Sequence, residues 1–206
     1  MKQLPSPLLV ITDRHQARHS IEAIAEAVGQ AGGRWLLLRD KDLEPDKRSG
    51  LAARLTEIAR HQGMRLSVSR DVAVAAECGA SVHLQSAAAV GAARHRLGPG
   101  ALVGVSAHSF DDVADAATAG ADYVTLSPIF LTSSKPGYGP ALGTAAIGPA
   151  ANLGISVIAL GGVTADLVRP CLDAGAAAVA VMGEIMRSDQ PGRTVCEFLA
   201  QAKPRQ

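Results

Sequence analysis

The chain has 206 residues, enough for one domain at about 150 residues per domain, and its 48% hydrophobic against 19% charged residues supply a core and argue against disorder. Lys and Arg number 20 against 19 Asp and Glu, a formal net charge of +1, so no global field draws the chain to nucleic acid or to a membrane surface. An aromatic content of 3% argues against a base-stacking platform, and no apolar run reaches the ~18 residues of a bilayer span. Leu8-Leu9-Val10-Ile11-Thr12 reads as a first strand, and Ser20 caps a helix running to about Ala31. Trp35-Leu36-Leu37-Leu38-Arg39 is a second strand, followed by a helix from about Glu44 to His61. Leu66-Ser67-Val68-Ser69 is a weaker third strand with a short helix after Asp71, and Ser81-Val82-His83-Leu84 a fourth with a helix near Ala87 to Arg96. Ala101 to Ser106 is a fifth strand, and Ser109 begins a helix with Asp111 and Asp112 in its first turn, where the macrodipole favours acids.

The second half keeps this rhythm. Tyr123-Val124-Thr125-Leu126 is a sixth strand, followed by a long polar loop from Ser127 to about Leu142 and then a helix. Ser156-Val157-Ile158-Ala159-Leu160 is a seventh strand, stopped by Gly161-Gly162, and Thr164 caps a helix ending near Ala174. Ala177 to Val181 is an eighth strand, a last helix runs from about Gly192 to Gln201, and the tail from Lys203 should fray. The strands are near-continuous apolar runs, the mark of a parallel sheet covered on both faces by helices. Eight strand–helix units at this spacing predict an α/β fold, a (β/α)8 TIM barrel spanning residues 1–206 as a single domain. A doubly wound open sheet is the alternative, but Asp13-Arg14-His15-Gln16 stands where a dinucleotide fold needs its glycines.

Cys78, Cys171 and Cys196 form no C-x-x-C pair and read as small buried hydrophobes of a reducing compartment. The segment Met1 to Pro7 is not a secretory signal, so a soluble cytoplasmic protein is expected. His15 and His19 stand at H-x-x-x-H spacing, but with no further ligand cluster beside them a zinc site is not expected. His15, His19, His61 and His95 read as solvated, whereas His83 is either a core or a site residue, depending on which way strand four faces.

Barrel chemistry sits at the C-terminal ends of the strands. There the sequence places Arg39 and Lys41, Ser69-Arg70, His83 with Gln85, Ser106 with His108, Ser127 with Thr132, Ser134 and Lys135, Gly161-Gly162, and Val181-Met182-Gly183. Cations and hydroxyls converging on one mouth of a nearly neutral chain point to an anionic ligand, phosphate or diphosphate. Gly161-Gly162 and Gly183 let backbone N–H groups approach phosphate oxygens, as loops after the last two barrel strands often do; the plainer alternative is that they only end strands. The loop from Ser127 to Gly143 exceeds an ordinary βα connection, and its Lys135, next to Pro136-Gly137, could close over a leaving group; the alternative is a solvated loop.

These segments resemble the thiamine phosphate synthase family and its thiazole tautomerase relatives. The resemblance rests on Leu38-Arg39-Asp40-Lys41-Asp42, Gly104-Val105-Ser106-Ala107-His108-Ser109, Gly120-Ala121-Asp122-Tyr123-Val124, Ser127-Pro128-Ile129-Phe130-Leu131-Thr132, Ser134-Lys135-Pro136-Gly137 and Ile158-Ala159-Leu160-Gly161-Gly162-Val163. It implies that an aminopyrimidine methyl diphosphate loses diphosphate and that a thiazole phosphate nitrogen captures the cation, giving thiamine phosphate. Arg39, Lys41 and Lys135 would then hold the diphosphate, and Ser106 would sit near the pyrimidine. Thr132 and Ser134 would meet the thiazole phosphate or the product diphosphate, and Gly162, Val181 and Gly183 would present N–H groups to the thiazole phosphate. The resemblance also implies Mg²⁺ between diphosphate and carboxylates. The chain departs from the synthase pattern with Leu37 in place of Gln, Val68-Ser69 in place of Asn-Asp, and Gln85-Ser86-Ala87 in place of an acidic residue. Both usual Mg²⁺ carboxylates are thereby replaced, leaving Asp40, Asp42 and Asp71 as substitutes without assigned ligand roles. A tautomerase would carry its catalytic His where Pro128 stands, so His83 or His108 would have to act instead. The expected partners are small phosphorylated molecules, with no nucleic acid or membrane and with a homo-oligomer allowed; the alternatives to a synthase are an isomerase or a non-catalytic binder of the same phosphates.

Overall fold

The computed structural model describes residues 2–132 and 139–203. Its strands are β1 (Leu8–Ile11), β2 (Trp35–Leu38), β3 (Arg65–Ser69), β4 (Ser81–Leu84), β5 (Val103–Ala107), β6 (Tyr123–Leu126), β7 (Ser156–Leu160) and β8 (Ala178–Val181). They close into a barrel in sequence order, β8 pairing with β1, and every pairing is parallel. This is the (β/α)8 barrel that the apolar runs predict, and the open-sheet alternative is discarded.

The helices are α1 (Ile21–Gln30), α2 (Pro45–His61), α3 (Val72–Glu77), α4 (Val90–Leu97), α5 (Phe110–Thr118), α6 (Ile147–Ala151), α7 (Val168–Asp173), α8 (Gly183–Met186) and α9 (Pro191–Ala202). Short 3-10 turns precede α4, α6 and α7. Ser20 caps α1 by accepting the Ala23 N–H, and Ile21, Ile24, Ala25 and Val28 form its buried face at helical spacing. Ser109 and Asp112 make a reciprocal capping box at α5. Thr164 stands at the start of its turn, but its hydroxyl donates to Asp166 Oδ1 at 2.6 Å and caps no amide. Helix α8 is absent from the sequence reading because its four residues carry neither a period nor a side-chain cap. Strand β5 begins two residues later than expected: the Ala101 carbonyl is occupied by the side chains of Lys2 and Arg94, and the Leu102 N–H donates to Ser81 Oγ.

Strand parity divides the core in two. Leu8, Val10, Leu36, Leu38, Val68 and Val82 face outward into the layer beneath the helices, whereas Leu9, Ile11, Trp35, Leu37, Tyr123 and Ile158 fill the barrel. The Tyr123 ring needs Gly104, because a Cβ there would lie 2.0 Å from Tyr123 Cζ. Among the cysteines only Cys171 is buried, and Cys196 is exposed, contrary to the uniform burial expected. No helix among the described residues is long and apolar enough to cross a membrane.

Candidate active site

A cavity of about 380 Å³ opens at the C-terminal mouth of the barrel, in the size range of small-molecule sites. Its floor is the uppermost inward layer of the strands, including Ile11, Leu37, Ser69, His83, Ser106 and Thr125. Register aligns Ser69 with His83 and Ser106 with Thr125. Parity thus settles the open question about His83: it points into the barrel beneath the cavity. Its Nδ1 lies 3.2 Å from the Tyr123 hydroxyl, and its Nε2 lies 3.1 Å from Ser106 Oγ and 3.3 Å from Thr125 Oγ1. Burial pushes His83 down to about 4, so the ring is neutral at pH 7 with one donor and one acceptor nitrogen. Trp35 Nε1 donates to Ser67 Oγ at 3.0 Å at the same level of the barrel, and its ring meets Tyr123 edge-on at 4.9 Å.

Around the rim, Arg39, Lys41, Arg70 and His108 line the cavity. The Arg39 N–H donates to Thr12 Oγ1 at 3.0 Å, and its guanidinium lies 3.4 Å from Asp13 Oδ2. Arg70 is the one non-glycine residue at positive φ among those described (φ 70), and its N–H donates to the His83 carbonyl at 2.7 Å. The His108 Nδ1–H donates to the Ser127 carbonyl at 2.9 Å. Ser127, Thr132, Val181 and Met182 also line the cavity. Lys135 and Ser134 lie outside the described residues. The other substrate-binding and catalytic residues expected from the sequence all border this one cavity.

The glycines do something more specific than leave room for a ligand. Gly161 and Gly162 both have positive φ, +96 and +65. A Cβ on Gly162 would lie 2.3 Å from the Leu131 carbonyl oxygen, and one on Gly161 would lie 2.9 Å from Pro128 Cα. Their open side is therefore filled by the chain after β6, which docks through Ile129 N–H to the Leu160 carbonyl and Phe130 N–H to the Gly161 carbonyl. The start of the loop is therefore packed against the strand ends, with Ile129 fully buried, while Leu131 is exposed. The N–H groups of Gly161, Gly162 and Gly183 donate to no protein acceptor among the described residues.

Two arginines escaped the sequence reading. Arg187 lines the cavity from the end of α8, and its guanidinium lies directly over Gly183, where a Cβ would be 2.4 Å from Nη1. It donates to Gln16 Oε1 and lies 3.5 Å from Glu184 Oε1. Its signal was the four-residue step from Gly183, legible only once α8 is known. Arg48, on α2, is buried beneath the rim and donates to the carbonyls of Asp40 at 2.8 Å and Ser69 at 2.5 Å. Its burial is a tertiary fact that the polar start of α2 does not announce.

The carboxylates near the mouth are engaged by the protein itself. Asp40 is buried, accepting from Thr12 Oγ1 at 2.5 Å and from the Arg14 N–H at 2.6 Å. Asp42 is bound by Arg14 and His15, which hold it well below the usual carboxylate range. Asp71 caps α3 through the Val74 N–H. None of the three lines the cavity, and no group of three or more His, Cys, Asp or Glu that could hold a metal occurs among the described residues. The donor set does not fit a protein-held Mg²⁺.

Fold and site together define a (β/α)8 barrel with a cationic, amide-lined pocket at its catalytic end. A family model described as thiamine monophosphate synthase matches residues 8–185, and the chain belongs to that family. It is 34% identical over its full length to a putative thiamine-phosphate synthase of Geobacter sulfurreducens, covering 98% of that protein. It is 37% identical to a thiamine-phosphate synthase of Methanoculleus marisnigri over 87% of each chain. Its backbone superimposes on thiamine phosphate pyrophosphorylase from Pyrococcus furiosus with a TM-score of 0.81 over 94% of both chains, at 24% identity, a likeness of fold.

Proposed function

We propose that this chain is a transferase that couples an aminopyrimidine methyl diphosphate to a thiazole phosphate, releasing diphosphate and forming thiamine phosphate. The observation that carries this reading is the union, in one cavity, of three rim cations (Arg39, Lys41 and Arg70), a second pole of glycine amides without a backbone acceptor among the described residues, beside Arg187, and an uncharged floor, part polar and part apolar, between them. Two anionic groups and a neutral heterocycle match that distribution. In the reaction the C–O bond between methylene and diphosphate breaks, and its electron pair leaves with the diphosphate. The thiazole nitrogen lone pair then forms the new C–N bond. Arg39, Lys41 and Arg70 would take up the departing charge with donors already in place. Lys135, from the segment after Thr132, would join them.

At the second pole, Gly161, Gly162 and Gly183 would donate N–H groups to the thiazole phosphate, with Thr132 and Ser134 adding hydroxyls. Ser106, fixed beside neutral His83, would orient the pyrimidine without supplying a charge that competes for the cation. Holding both reactants in one pocket turns a two-body encounter into a positioned attack. The substrates are small dissolved phosphates, which accords with a cytoplasmic location and with any state of self-association. Incubating the protein with both precursors should yield thiamine phosphate and diphosphate, with the rate cut sharply in Lys135→Ala. Absence of product from fresh precursors would overturn the reading. One observation favours a second reading, a thiazole phosphate isomerase: His108 borders the cavity, with its Nδ1–H held on the Ser127 carbonyl. That reading expects proton exchange on a thiazole carboxylate phosphate, lost in His108→Ala.

A further inference from the structure

We propose that this protein binds the diphosphate of its substrate with its own guanidinium and ammonium groups in place of a protein-held divalent cation. The inference rests on the transferase reading and adds to it. A diphosphate brings several negative charges, and Mg²⁺ would normally be anchored by one or two carboxylates while sharing the phosphate oxygens. At this mouth the anchoring groups are committed elsewhere. Asp13 accepts from Gln16 Nε2 at 2.8 Å and faces Arg39. Asp40, Asp42 and Asp71 are bound as described above, and Asp112 accepts the N–H groups of His108 and Ser109 at 2.8 and 3.0 Å. Among the described residues lining the cavity, Glu184 is the one carboxylate, and it lies beside Arg187. Residues 133–138 contain no Asp or Glu. The strand ends nearest Arg70 present Ser69 and Gln85, neutral oxygens that would hold Mg²⁺ poorly.

The positive charge is instead built into the chain. Arg39, Lys41 and Arg70 follow β2 and β3 and border the cavity together. Their placement is held from below: buried Arg48 ties the Asp40 carbonyl to the Ser69 carbonyl, joining the two segments that carry them. Arg39 is oriented by Asp13, and Arg70 is anchored by its N–H to the His83 carbonyl in a backbone conformation that L side chains rarely adopt. Guanidinium forks bind adjacent phosphate oxygens in pairs, and a fixed fork needs no reorganisation when charge develops on the leaving group.

The test is calorimetric titration of the full chain with inorganic diphosphate, in excess Mg²⁺ and in EDTA. Free Mg²⁺ binds diphosphate itself and competes with a protein that uses only its own cations. Affinity in EDTA should therefore equal or exceed that in Mg²⁺, and Arg70→Ala should weaken it roughly tenfold or more, the scale of a lost charge-assisted contact. The wild-type comparison needs no variant, so an unfolded Arg70→Ala leaves the test intact. Binding that appears only with Mg²⁺ overturns the inference while leaving the transferase reading in place. No binding in either condition, together with no thiamine phosphate from the two precursors, overturns both.

Discussion

Strands β7, β8, β1 and β2 send Ile158, Leu160, Ala178, Ala180, Leu9, Ile11, Trp35 and Leu37 into the barrel, whereas β3 to β6 send Ser67, Ser69, Ser81, His83, Ser106, Tyr123 and Thr125. Apart from Ser156 at the start of β7, the first half is an apolar plug whose burial stabilises the closed barrel. The second is a hydrogen-bonded polar wall running up to the cavity floor, and polar groups so placed need partners at nearly every position. Trp35 spans the boundary, its ring in the plug and its Nε1–H on Ser67 Oγ. The division separates work within a single sheet: one half holds the fold, the other presents neutral donors and acceptors beneath a ring of cations.

The contrast is most severely tested by truncating the plug. Trp35 is fully buried, and Trp35→Ala should lower stability by roughly 3–5 kcal/mol, the usual cost of a large buried aromatic, part of it from losing the hydrogen bond to Ser67 Oγ. Urea unfolding measures this. A change below about 1 kcal/mol would mean that the interior collapses around the gap and that the plug does not carry the barrel.

The polar half should instead declare itself through pH. His83 is buried neutral with its pKa depressed to about 4, while in the unfolded chain it titrates near 6.5. Below pH 6.5 the unfolded chain takes a proton that the folded one refuses. Stability is then complete above that value and falls as pH drops toward 4, by roughly 3 kcal/mol across the window. In His83→Gln this component of the slope should disappear while the other carboxylate and histidine contributions remain. Parallel stability–pH curves for the two proteins would show that His83 is not held neutral by burial.

Much of this was legible without coordinates. The runs Leu36-Leu37-Leu38 and Val157-Ile158-Ala159-Leu160 announced strands buried on both faces, and eight of them announced the barrel. The strand-end rule then gathered Arg39, Lys41, Arg70, His108 and the glycines at one mouth. The alternation in Leu66-Ser67-Val68-Ser69 and Ser81-Val82-His83-Leu84 carried the polar wall as well, but taken one strand at a time it reads as a weak strand. Only closure of the barrel makes the serines and His83 face one another. Gly161 and Gly162 stand out in the sequence as places where backbone can approach phosphate oxygens without a Cβ, yet they have positive φ and what fills their open side is the returning chain at Pro128 to Leu131, a contact between segments some 30 residues apart that no local pattern encodes.

The smallest expected effect separates the two anion-binding poles proposed for the cavity. At the β2–β3 pole the donors are cationic side chains, whereas at the β7–β8 pole they are neutral backbone amides with one guanidinium, Arg187, laid across Gly183. A guanidinium has no acceptor with which to satisfy an N–H, so Arg187 does not cap the Gly183 amide, and in the proposed reading both would donate to the thiazole phosphate. Because Arg187 is partly exposed, solvent weakens it, and Arg187→Ala should raise KM for the thiazole phosphate about tenfold, or ~1.4 kcal/mol, with kcat little changed. The effect should shrink as salt rises, and Arg187→Lys should recover part of it, since a point charge replaces the charge but not the fork. A strut between Gln16 and Glu184 would behave differently: its loss would lower the unfolding midpoint and leave KM and its salt dependence where they were. Steady-state kinetics at two ionic strengths, beside a urea titration, therefore distinguishes an arginine that completes the second pole from one that only braces the end of α8.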